Sequence, residues 1–315
     1  MDCAQVQALA QKLTENVGKV IVGKKAQIEL ILAAVLAGGH VLMEDVPGTG
    51  KTTLAKALAK SVRCSFSRIQ FTPDLLPADV TGMRIYNQKT GDFTFLPGPV
   101  FTNILLADEI NRATPRTQSA LLECMQEKQV TEGGTTYHLA APFLVIATQN
   151  SVETQGTFAL PEAQLDRFLI KLSLGYPTTQ EAVDMLRRFF DREPMAEVEA
   201  VAEAEDLRRA AAACSRCRVD EDVMDYMARV CEAARNPEAV RLGPSPRALL
   251  ALMHCCQALA CIRGRDYVIP DDVKELAVPV LAHRILLRGT QYQSNPERFV
   301  QGVIGSVAVP TEAGV

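Results

Sequence analysis

Short apolar runs alternate with amphipathic stretches along the first part of the chain. The amphipathic stretches have helical periodicity, as in Thr52–Val62 and Pro115–Glu127, and a further one at Val6–Val17 predicts an N-terminal helix. The apolar runs lie at Val41–Glu44, Phe66–Phe71, Asn103–Glu109, Phe143–Asn150 and Phe168–Ser173. Apolar strands separated by helices are typical of a parallel sheet covered on both faces. The pattern therefore predicts an α/β domain with about five parallel strands.

Two hairpin signals interrupt this alternation, and a change of pattern follows them. Arg84–Phe95 contains a Lys-Thr-Gly-Asp turn, and Gln129–Leu139 turns at a Gly-Gly pair. From about Tyr176 the periodicity is helical only, with an acidic stretch at residues 181–206 that is expected to be solvated helix and linker. Amphipathic helices are predicted at Asp220–Ala234, Pro246–Ile262 and Asp271–Leu287. The chain is accordingly predicted to divide into a core domain, residues 1–176, and a linker with an all-helical lid domain, residues 177–315.

The composition is that of an ordinary soluble protein, with 48% hydrophobic and 22% charged residues among 315. The net charge of -4 gives no basic field, so no nucleic-acid partner is expected. The apolar stretches are shorter than the roughly 18 residues of a membrane span, and the start of the chain lacks the pattern of a secretory signal. Nine scattered cysteines, including Cys214 and Cys217 at the spacing of a metal knuckle, are interpreted as reduced thiols of a cytoplasmic protein.

A glycine-rich turn follows the first predicted strand and precedes a predicted helix. The turn and the start of the helix comprise Val46, Pro47, Gly48, Thr49, Gly50, Lys51, Thr52 and Thr53. Glycines in such a turn let successive backbone N–H groups point at phosphate oxygens, at the favourable end of the helix dipole. Lys51 is expected to reach the β- and γ-phosphates of ATP, and the Thr52 hydroxyl to ligate Mg²⁺. The strict phosphate-loop pattern has a glycine where this chain has Asp45, and the rest of the pattern is intact.

Polar residues end two of the later apolar runs. Asp108 and Glu109 end one run, and Asn150 ends another. Because parallel strands deliver their carboxyl ends to the ligand crevice, Asp108 is expected to hold Mg²⁺ and Glu109 to orient and polarise the attacking water. Asn150 is a weaker candidate for holding that water, since asparagine often only starts a turn. An acidic pair can also cap a helix, but its position after the phosphate loop favours the catalytic interpretation.

As an ordered set, these motifs resemble the MoxR group of the AAA+ ATPase family from about residue 5 to residue 300. Besides the phosphate loop and the two polar strand ends, the resemblance rests on Val22-Gly23-Lys24, Gln70–Pro77, Pro97–Phe101, Asp108–Ala113, Thr117–Glu123 and Leu160–Phe168. The order and spacing of these segments make the resemblance specific.

The resemblance implies further roles. Val22 and Gly23 would lie beside the adenine, Asn150 would be sensor 1, Arg247 sensor 2 and Arg167 the arginine finger. Without the resemblance, each arginine would be interpreted as a surface salt-bridge residue. Members of the family are typically hexameric rings with chaperone-like roles, and they often act with a partner that carries a von Willebrand factor A domain.

The sequence therefore predicts a Mg-ATP-dependent ATPase of MoxR type that hydrolyses ATP to ADP and phosphate and remodels or matures a protein partner. Two alternatives remain open: a nucleotide-gated binding scaffold with little turnover, and a chelatase- or DNA-linked AAA+ motor. Glu109 and Arg167 favour hydrolysis over the scaffold. The acidic balance and the lack of a DNA-binding appendage argue against the DNA-linked motor.

Overall fold

The computed structural model describes residues 1–89, 91–150, 156–289 and 295–310. The helices in these ranges are α1 Cys3–Gly18, α2 Lys25–Leu36, α3 Lys51–Ser61, α4 Pro77–Thr81, α5 Pro115–Glu127, α6 Glu162–Leu165, α7 Thr179–Phe189, α8 Ala204–Cys214, α9 Glu221–Ala233, α10 Pro246–Ile262, α11 Pro270–Leu281 and α12 Pro296–Ser306. The strands are β1 Val41–Glu44, β2 Phe66–Gln70, β3 Gly82–Asn87, β4 Asp92–Pro97, β5 Ile104–Asp108, β6 Gln129–Glu132, β7 Thr135–His138, β8 Leu144–Gln149, β9 Ile170–Leu172, β10 Val240–Leu242 and β11 Leu286–Leu287.

A sheet of five parallel strands forms the centre of the fold, in the order β2-β5-β8-β1-β9. Val41 of β1 lies opposite Ile146 of β8 on one side and Ile170 of β9 on the other. Because all five strands point the same way, their carboxyl ends form one edge of the sheet, here called the carboxyl edge. Their amino ends form the opposite edge, here called the amino edge. The sheet confirms the α/β core that the apolar runs predict.

The strands are buried on both faces because alternate side chains enter two different apolar cores. Leu42 and Val145 pack into the core that includes α5. Met43 and Ile146 point to the other face and pack into a core that includes α1, α2, α3 and most of the C-terminal helices. The nearly continuous apolar runs follow from this two-sided burial. The C-terminal helices therefore share one hydrophobic core with a face of the central sheet.

The predicted hairpin at Arg84–Phe95 forms from β3 and β4. Arg84 lies opposite Phe95, and the pairing continues outward to Gly82 and Pro97. Thr90, the second residue of the predicted turn, lies outside the described residues. This hairpin therefore extends further than the turn signal alone indicates.

The second predicted hairpin forms from β6 and β7, and it packs against the first. Gly133 and Gly134 make the turn with positive φ angles of 56° and 78°. Tyr137 of β7 stacks on Phe95 of β4, with ring centroids 4.1 Å apart. The two hairpins are thus in contact through a stacked aromatic pair, which covers part of one face of each hairpin.

The C-terminal part is helical, with one short strand pair that the periodicity does not predict. The predicted helix Asp271–Leu287 is too long, because α11 ends at Leu281 and is followed by a 3-10 turn and by β11, which pairs with β10. Pro279 removes one helical hydrogen bond near this end. The side chain of Arg284 then turns inward and donates to the carbonyl of Phe168 at 2.6 Å. Across the described ranges, no helix combines the length and apolarity needed to cross a membrane.

Candidate nucleotide site

The phosphate loop connects β1 to α3 at the carboxyl edge. Gly48 and Gly50 have φ angles of +85° and +92°, which side chains other than glycine rarely adopt. Gly50 is the residue before the first turn of α3, so the backbone N–H groups of Lys51 and Thr52 lie at the helix N-terminus. A Cβ atom at Gly48 would contact nothing within 4 Å, so the loop faces open space. The turn therefore offers an anion N–H donors that have no partner among the described residues.

Lys51 lies across this loop. Its Nζ atom donates to the carbonyl of Asp45 at 3.1 Å and to that of Val46 at 3.4 Å. The Thr49 hydroxyl also donates to the carbonyl of Val46, at 3.4 Å. Neutral carbonyls are weaker partners for an ammonium group than phosphate oxygens. The lysine is thus held close to the loop by contacts that a phosphate group can replace.

The loop accepts Asp45 in place of the pattern's glycine because the backbone there has an ordinary conformation. The non-glycine residues with positive φ among the described residues are Arg63, Glu109 and Lys128. Asp45 is not one of them, so a side chain at this position causes no backbone strain. Its carboxylate is buried and hydrogen-bonded, and the departure from the pattern leaves the geometry of the loop intact.

Asp108 ends β5 at the carboxyl edge, and both of its carboxylate oxygens are hydrogen-bonded. Oδ1 accepts from the hydroxyl of Thr148 at 2.6 Å. Oδ2 accepts from Nη2 of Arg68 at 2.7 Å. Thr148 is fully buried near the end of β8, and Arg68 comes from β2 on the other side of β5. Side chains from three adjacent strands therefore meet at Asp108.

Glu109 is oriented by its backbone as well as by its side-chain partners. It has φ +55°, an uncommon value for a residue other than glycine. Its N–H donates to the hydroxyl of Thr148 at 2.9 Å. Its Oε2 atom accepts from Nε2 of Gln70 and from Nε of Arg112, both at 2.9 Å. The carboxylate is therefore fixed at the sheet edge by two donors, and Asn150 is buried one residue beyond β8 on the same edge.

Arg68, Gln70 and Thr148 are site residues to which the sequence analysis assigns no role. Gln70 of β2 pairs in register with Asp108 of β5. Thr148 lies in β8, two residues before Asn150. Strand order could have pointed to them, since polar residues at the ends of adjacent parallel strands meet at one edge. That order depends on which strands pair, and the chain pattern does not specify the pairing.

Val22 and Gly23 lie just before α2, and the side chain of Glu181 from α7 lies close to Gly23. Gly23 has φ +73°, and a Cβ atom there would overlap the carboxylate of Glu181. Nζ of Lys24 lies 3.4 Å from Oε2 of that carboxylate. A hydrogen bond from the backbone of Thr178 lowers the pKa of Glu181, and Lys24 lowers it further. The proposed adenine side of the site is therefore in contact with the first of the C-terminal helices.

Arg167 lies at the amino edge, away from the phosphate loop of its own chain. The N–H of Leu169 donates to the carbonyl of His40, which precedes β1, at 2.8 Å. The phosphate loop begins at Asp45, and five extended positions from His40 span about 16 Å. An arginine side chain cannot cover that distance. The Arg167 guanidinium makes no hydrogen bond or ion pair within the described part of the chain.

Asp166, the neighbour of Arg167, connects this segment to the C-terminal helices. Its carboxylate accepts from Nε of Arg284 at 2.8 Å and from the hydroxyl of Ser245 at 3.2 Å. Burial lowers the pKa of Arg284, and Asp166 opposes that shift. Ser245 caps α10, and the exposed Arg247 lies in the first turn of that helix. The structure thus places Arg247 with Arg167 at the amino edge rather than with Lys51.

Comparisons with known proteins agree with this geometry. The family model described as "ATPase family associated with various cellular activities (AAA)" matches residues 40–170, and the AAA lid domain model matches residues 232–302. The protein named chaperone MoxR1 of Mycobacterium tuberculosis is 43% identical over 98% of this chain and 84% of its own length. This chain belongs to the MoxR family of AAA+ ATPases.

Further relatives support the same family assignment. YeaC, an uncharacterized protein of Bacillus subtilis, is 48% identical over 96% of each chain. The crystal structure of a candidate ATPase from Cytophaga hutchinsonii superposes with a TM-score of 0.91 at 39% identity, covering 98% of this chain and 97% of that one. The similarity extends over the core and the helical C-terminal part together.

The residues at the carboxyl edge of this chain fit a nucleotide with a divalent cation, as the family implies. The loop between Gly48 and Gly50 faces open space, and within the described residues Lys51 is held by carbonyl groups alone. Thr52 in the first turn of α3 and Asp108 at the end of β5 supply a hydroxyl and a carboxylate oxygen. Hard cations such as Mg²⁺ prefer oxygen ligands of this kind.

Cys214 and Cys217 lie outside this site, in a cluster of thiols with Cys261 and Cys3. A hydrogen bond with Cys261 raises the pKa of Cys217. The Sγ atoms of Cys3 and Cys261 are 3.4 Å apart. Within the described ranges, no three His, Cys, Asp or Glu residues are arranged as a metal site. The cluster therefore gives no structural support for a bound metal ion.

Proposed function

We propose that this chain binds Mg-ATP and hydrolyses it to ADP and phosphate, and that it uses the cycle to remodel a protein partner. The observation that carries the proposal is the arrangement at the carboxyl edge. There, Lys51 lies over an open phosphate loop while Asp108 and Glu109 are held side by side by Thr148. A carboxylate fixed next to a phosphate loop is the arrangement that orients water for attack on a γ-phosphate.

Each residue has a distinct role in this proposal. Lys51 binds the β- and γ-phosphates after leaving the carbonyls of the loop, and Thr52 and Asp108 hold the metal ion. Mg²⁺ supplies positive charge against the phosphate oxygens. Glu109 accepts a proton from the attacking water, and Asn150 holds that water in place. Val22, Gly23 and the remaining loop residues (Val46, Pro47, Gly48, Thr49, Gly50 and Thr53) enclose the nucleotide.

We further propose that the site is completed by a neighbouring subunit in a ring, which the family resemblance suggests is a hexamer. Arg167 lies at the amino edge without a side-chain partner in the described part of the chain, and Arg247 lies on the same edge. The segment that carries Arg167 lies about 16 Å along the strand direction from the start of its own phosphate loop, so Arg167 cannot reach the phosphate group that its own Lys51 would bind. If the two arginines instead contact the γ-phosphate bound by the neighbouring subunit, they would stabilise the charge that develops there during phosphoryl transfer.

Helix α7 offers a surface for self-association. None of its residues is buried, although its sequence is strongly amphipathic. Leu186 is 66% exposed, and Phe190, directly after the helix, is 88% exposed. A contiguous apolar stripe on a soluble protein is typical of a protein interface. Within the ring, residues 1–176 would act as the nucleotide-binding core, and residues 177–315 as linker and lid.

A protein client is proposed from the relatives' names and from an exposed hairpin face. One relative is named a chaperone. Phe95 of the β3–β4 hairpin is packed against Tyr137, whereas Phe93, two residues away on the same face of β4, is 60% exposed. Such an exposed aromatic residue suits contact with another protein. A partner with a von Willebrand factor A domain is the client class that the resemblance implies, and the cytoplasm is the proposed compartment.

One observation favours a second candidate, a nucleotide-gated scaffold with little turnover. Glu109 already accepts hydrogen bonds from Gln70 and Arg112 on the same oxygen. A carboxylate engaged in this way is a poorer base until those donors move. ATP hydrolysis would then depend on a rearrangement that releases Glu109 from Gln70 and Arg112. ATP binding would not require that rearrangement.

Phosphate release and nucleotide binding test the proposal together. Glu109→Gln should bind ATP with parental affinity and lose activity by about 10²- to 10⁴-fold, because an amide cannot act as the base. Lys51→Ala should lose ATP binding, because the cation that reaches the phosphates is gone. Steady-state phosphate release and isothermal titration calorimetry measure the two effects.

The control is Glu123→Gln, which makes the same charge change at an exposed position of α5. It should retain parental activity and affinity. Parental turnover in Glu109→Gln would remove Glu109 from the catalytic role. Tight ATP binding by the parent with no phosphate release would favour the scaffold instead.

A further inference from the structure

Asp45, the residue that departs from the phosphate-loop pattern, joins the loop to the connection that leads into α7. It is only 5% exposed. Oδ1 accepts from the hydroxyl of Ser173 at 2.6 Å and from the N–H of Gly175 at 3.0 Å. Oδ2 accepts from the N–H of Leu174 at 2.7 Å. A single carboxylate thus holds three consecutive residues after β9.

The loop itself does not require an aspartate at this position. Asp45 has an ordinary φ, so the glycine of the strict pattern would fit equally well. Burying a carboxylate costs stability unless hydrogen bonds compensate for the lost water. At Asp45 the compensation comes wholly from residues 173–175, which lie outside the loop. The three hydrogen bonds are therefore what the side chain contributes to the structure.

The backbone of Asp45 contacts the phosphate-binding lysine at the same time. Its carbonyl accepts from Nζ of Lys51 at 3.1 Å, and its N–H donates to the carbonyl of Gln149 at 3.4 Å. A phosphate group that draws Lys51 away removes one of these contacts. Asp45 would then lose the contact between its carbonyl and Lys51, while its carboxylate still holds residues 173–175.

Residues 173–178 connect β9 to α7 without any other regular element. Thr178 caps α7 through a hydrogen bond with the N–H of Glu181. Glu181 in turn lies against Gly23 and Lys24 at the proposed adenine side. Residues 173–175 are therefore connected by a short segment to a helix that contacts the proposed adenine side of the site through Glu181.

We propose that Asp45 is a positioning residue that couples occupancy of the phosphate loop to the orientation of α7. The coupling rests on the ATP-binding function proposed above. The carboxylate contacts residues 173–175 and not the phosphate loop, so its role is separate from binding the nucleotide. Removing it should leave ATP affinity nearly unchanged and should disconnect the response of α7.

Hydrogen–deuterium exchange of the full-length chain, with and without saturating ATP, tests this coupling. In the parent, ATP should slow exchange both in the loop peptide, residues 45–54, and in the peptide covering residues 173–190. In Asp45→Gly, which restores the pattern's glycine, the loop should still respond and residues 173–190 should not. Asp45→Asn keeps one carbonyl oxygen and should give an intermediate response.

Kinetics separate coupling from a merely structural role. Asp45→Gly should keep the Kd for ATP within about threefold of the parent. Its turnover at saturating ATP should fall by about 10- to 100-fold, as expected when catalytic groups are displaced. Asp272→Asn is the matched control, because Asp272 is a buried lid carboxylate that also accepts three hydrogen bonds. It should lower the melting temperature without uncoupling residues 173–190 from ATP.

An unchanged response of residues 173–190 in Asp45→Gly would overturn the coupling role. Loss of ATP binding in a folded Asp45→Gly protein would also overturn it, since Asp45 would then act in binding. If Asp45→Gly does not fold, Ser173→Ala tests the same link, because it removes one hydrogen bond to the carboxylate and leaves Asp45 in place. This variant must weaken the ATP-dependent protection of residues 173–190. Absence of ATP protection in the parent refutes the proposed function itself, which is a distinct result.

Discussion

The shared active site can be tested by mixing two inactive variants. Arg167→Ala keeps its own phosphate loop and loses the arginine that it presents at the amino edge. Lys51→Ala loses ATP binding and keeps that arginine. If Arg167 serves a neighbouring subunit, an Arg167→Ala subunit beside a Lys51→Ala subunit forms one complete site. Each variant alone should be nearly inactive, because an arginine finger contributes about 10³- to 10⁵-fold to the rate.

The expected recovery follows from the geometry. His40 lies opposite the Arg167 segment, and Asp45 begins the phosphate loop about 16 Å further along the strand direction. Arg167 therefore cannot complete a site in its own chain. In a ring assembled at random from equal amounts of the two variants, about a quarter of the interfaces pair an intact loop with an intact arginine. The mixture should release phosphate at up to about a quarter of the parental rate.

Subunit exchange must be established before this measurement is made. Light scattering should show rings of parental size for each variant, and a fluorescence label on one variant should appear in mixed rings. The control mixes Lys51→Ala with a chain that carries both substitutions, which creates no complete site and should remain inactive. If mixed rings form and are as inactive as either single variant measured alone, the shared site is refuted and Arg167 has a structural role instead.

Two further predictions concern groups outside the site. Burial lowers the pKa of His40 from the ordinary 6.5 to about 4, so below pH 6.5 the unfolded chain binds a proton that the folded chain does not. Between pH 7 and pH 5, the parent should lose about 2 kcal/mol more unfolding free energy than His40→Gln, measured by urea denaturation at each pH. The second prediction is that the protein contains no stoichiometric zinc. Elemental analysis that finds one zinc per chain, lost in Cys214→Ser, would contradict it.

The central sheet and the phosphate loop could be predicted because their signals are local. The run Val41–Glu44 matches β1, and the helix pattern Pro115–Glu127 matches α5, since burial on both faces or on one stripe leaves a direct trace in the sequence. Gly48 and Gly50 have the positive φ angles that make glycine necessary there. In each case a residue's type is determined by its own backbone or by its immediate surroundings.

The remaining features depend on contacts between distant parts of the chain. The hydroxyl of Thr148 in β8 donates a hydrogen bond to Asp108 at the end of the adjacent strand β5. In the sequence, Thr148 lies within an apolar run, where a threonine that only fills the core would look the same. The predicted helix Asp271–Leu287 ends early, at Leu281, and beyond its end the guanidinium of Arg284 binds the carbonyl of Phe168, more than 100 residues away. No periodicity predicts such a pairing, because it depends on which elements pack together.

Strand β9 connects the two ends of the proposed mechanism. At its amino end, Asp166 holds the segment that carries Arg167, through bonds to Arg284 and Ser245. At its carboxyl end, residues 173–175 are held by Asp45 beside the chain's own phosphate loop. The strand itself is only three residues long and is paired with β1, so it is a stiff link. If nucleotide displaces residues 173–175 as proposed above, β9 is the segment that connects them to the arginines at the amino edge. In a ring, that connection would make each subunit's contribution to its neighbour's site depend on its own nucleotide.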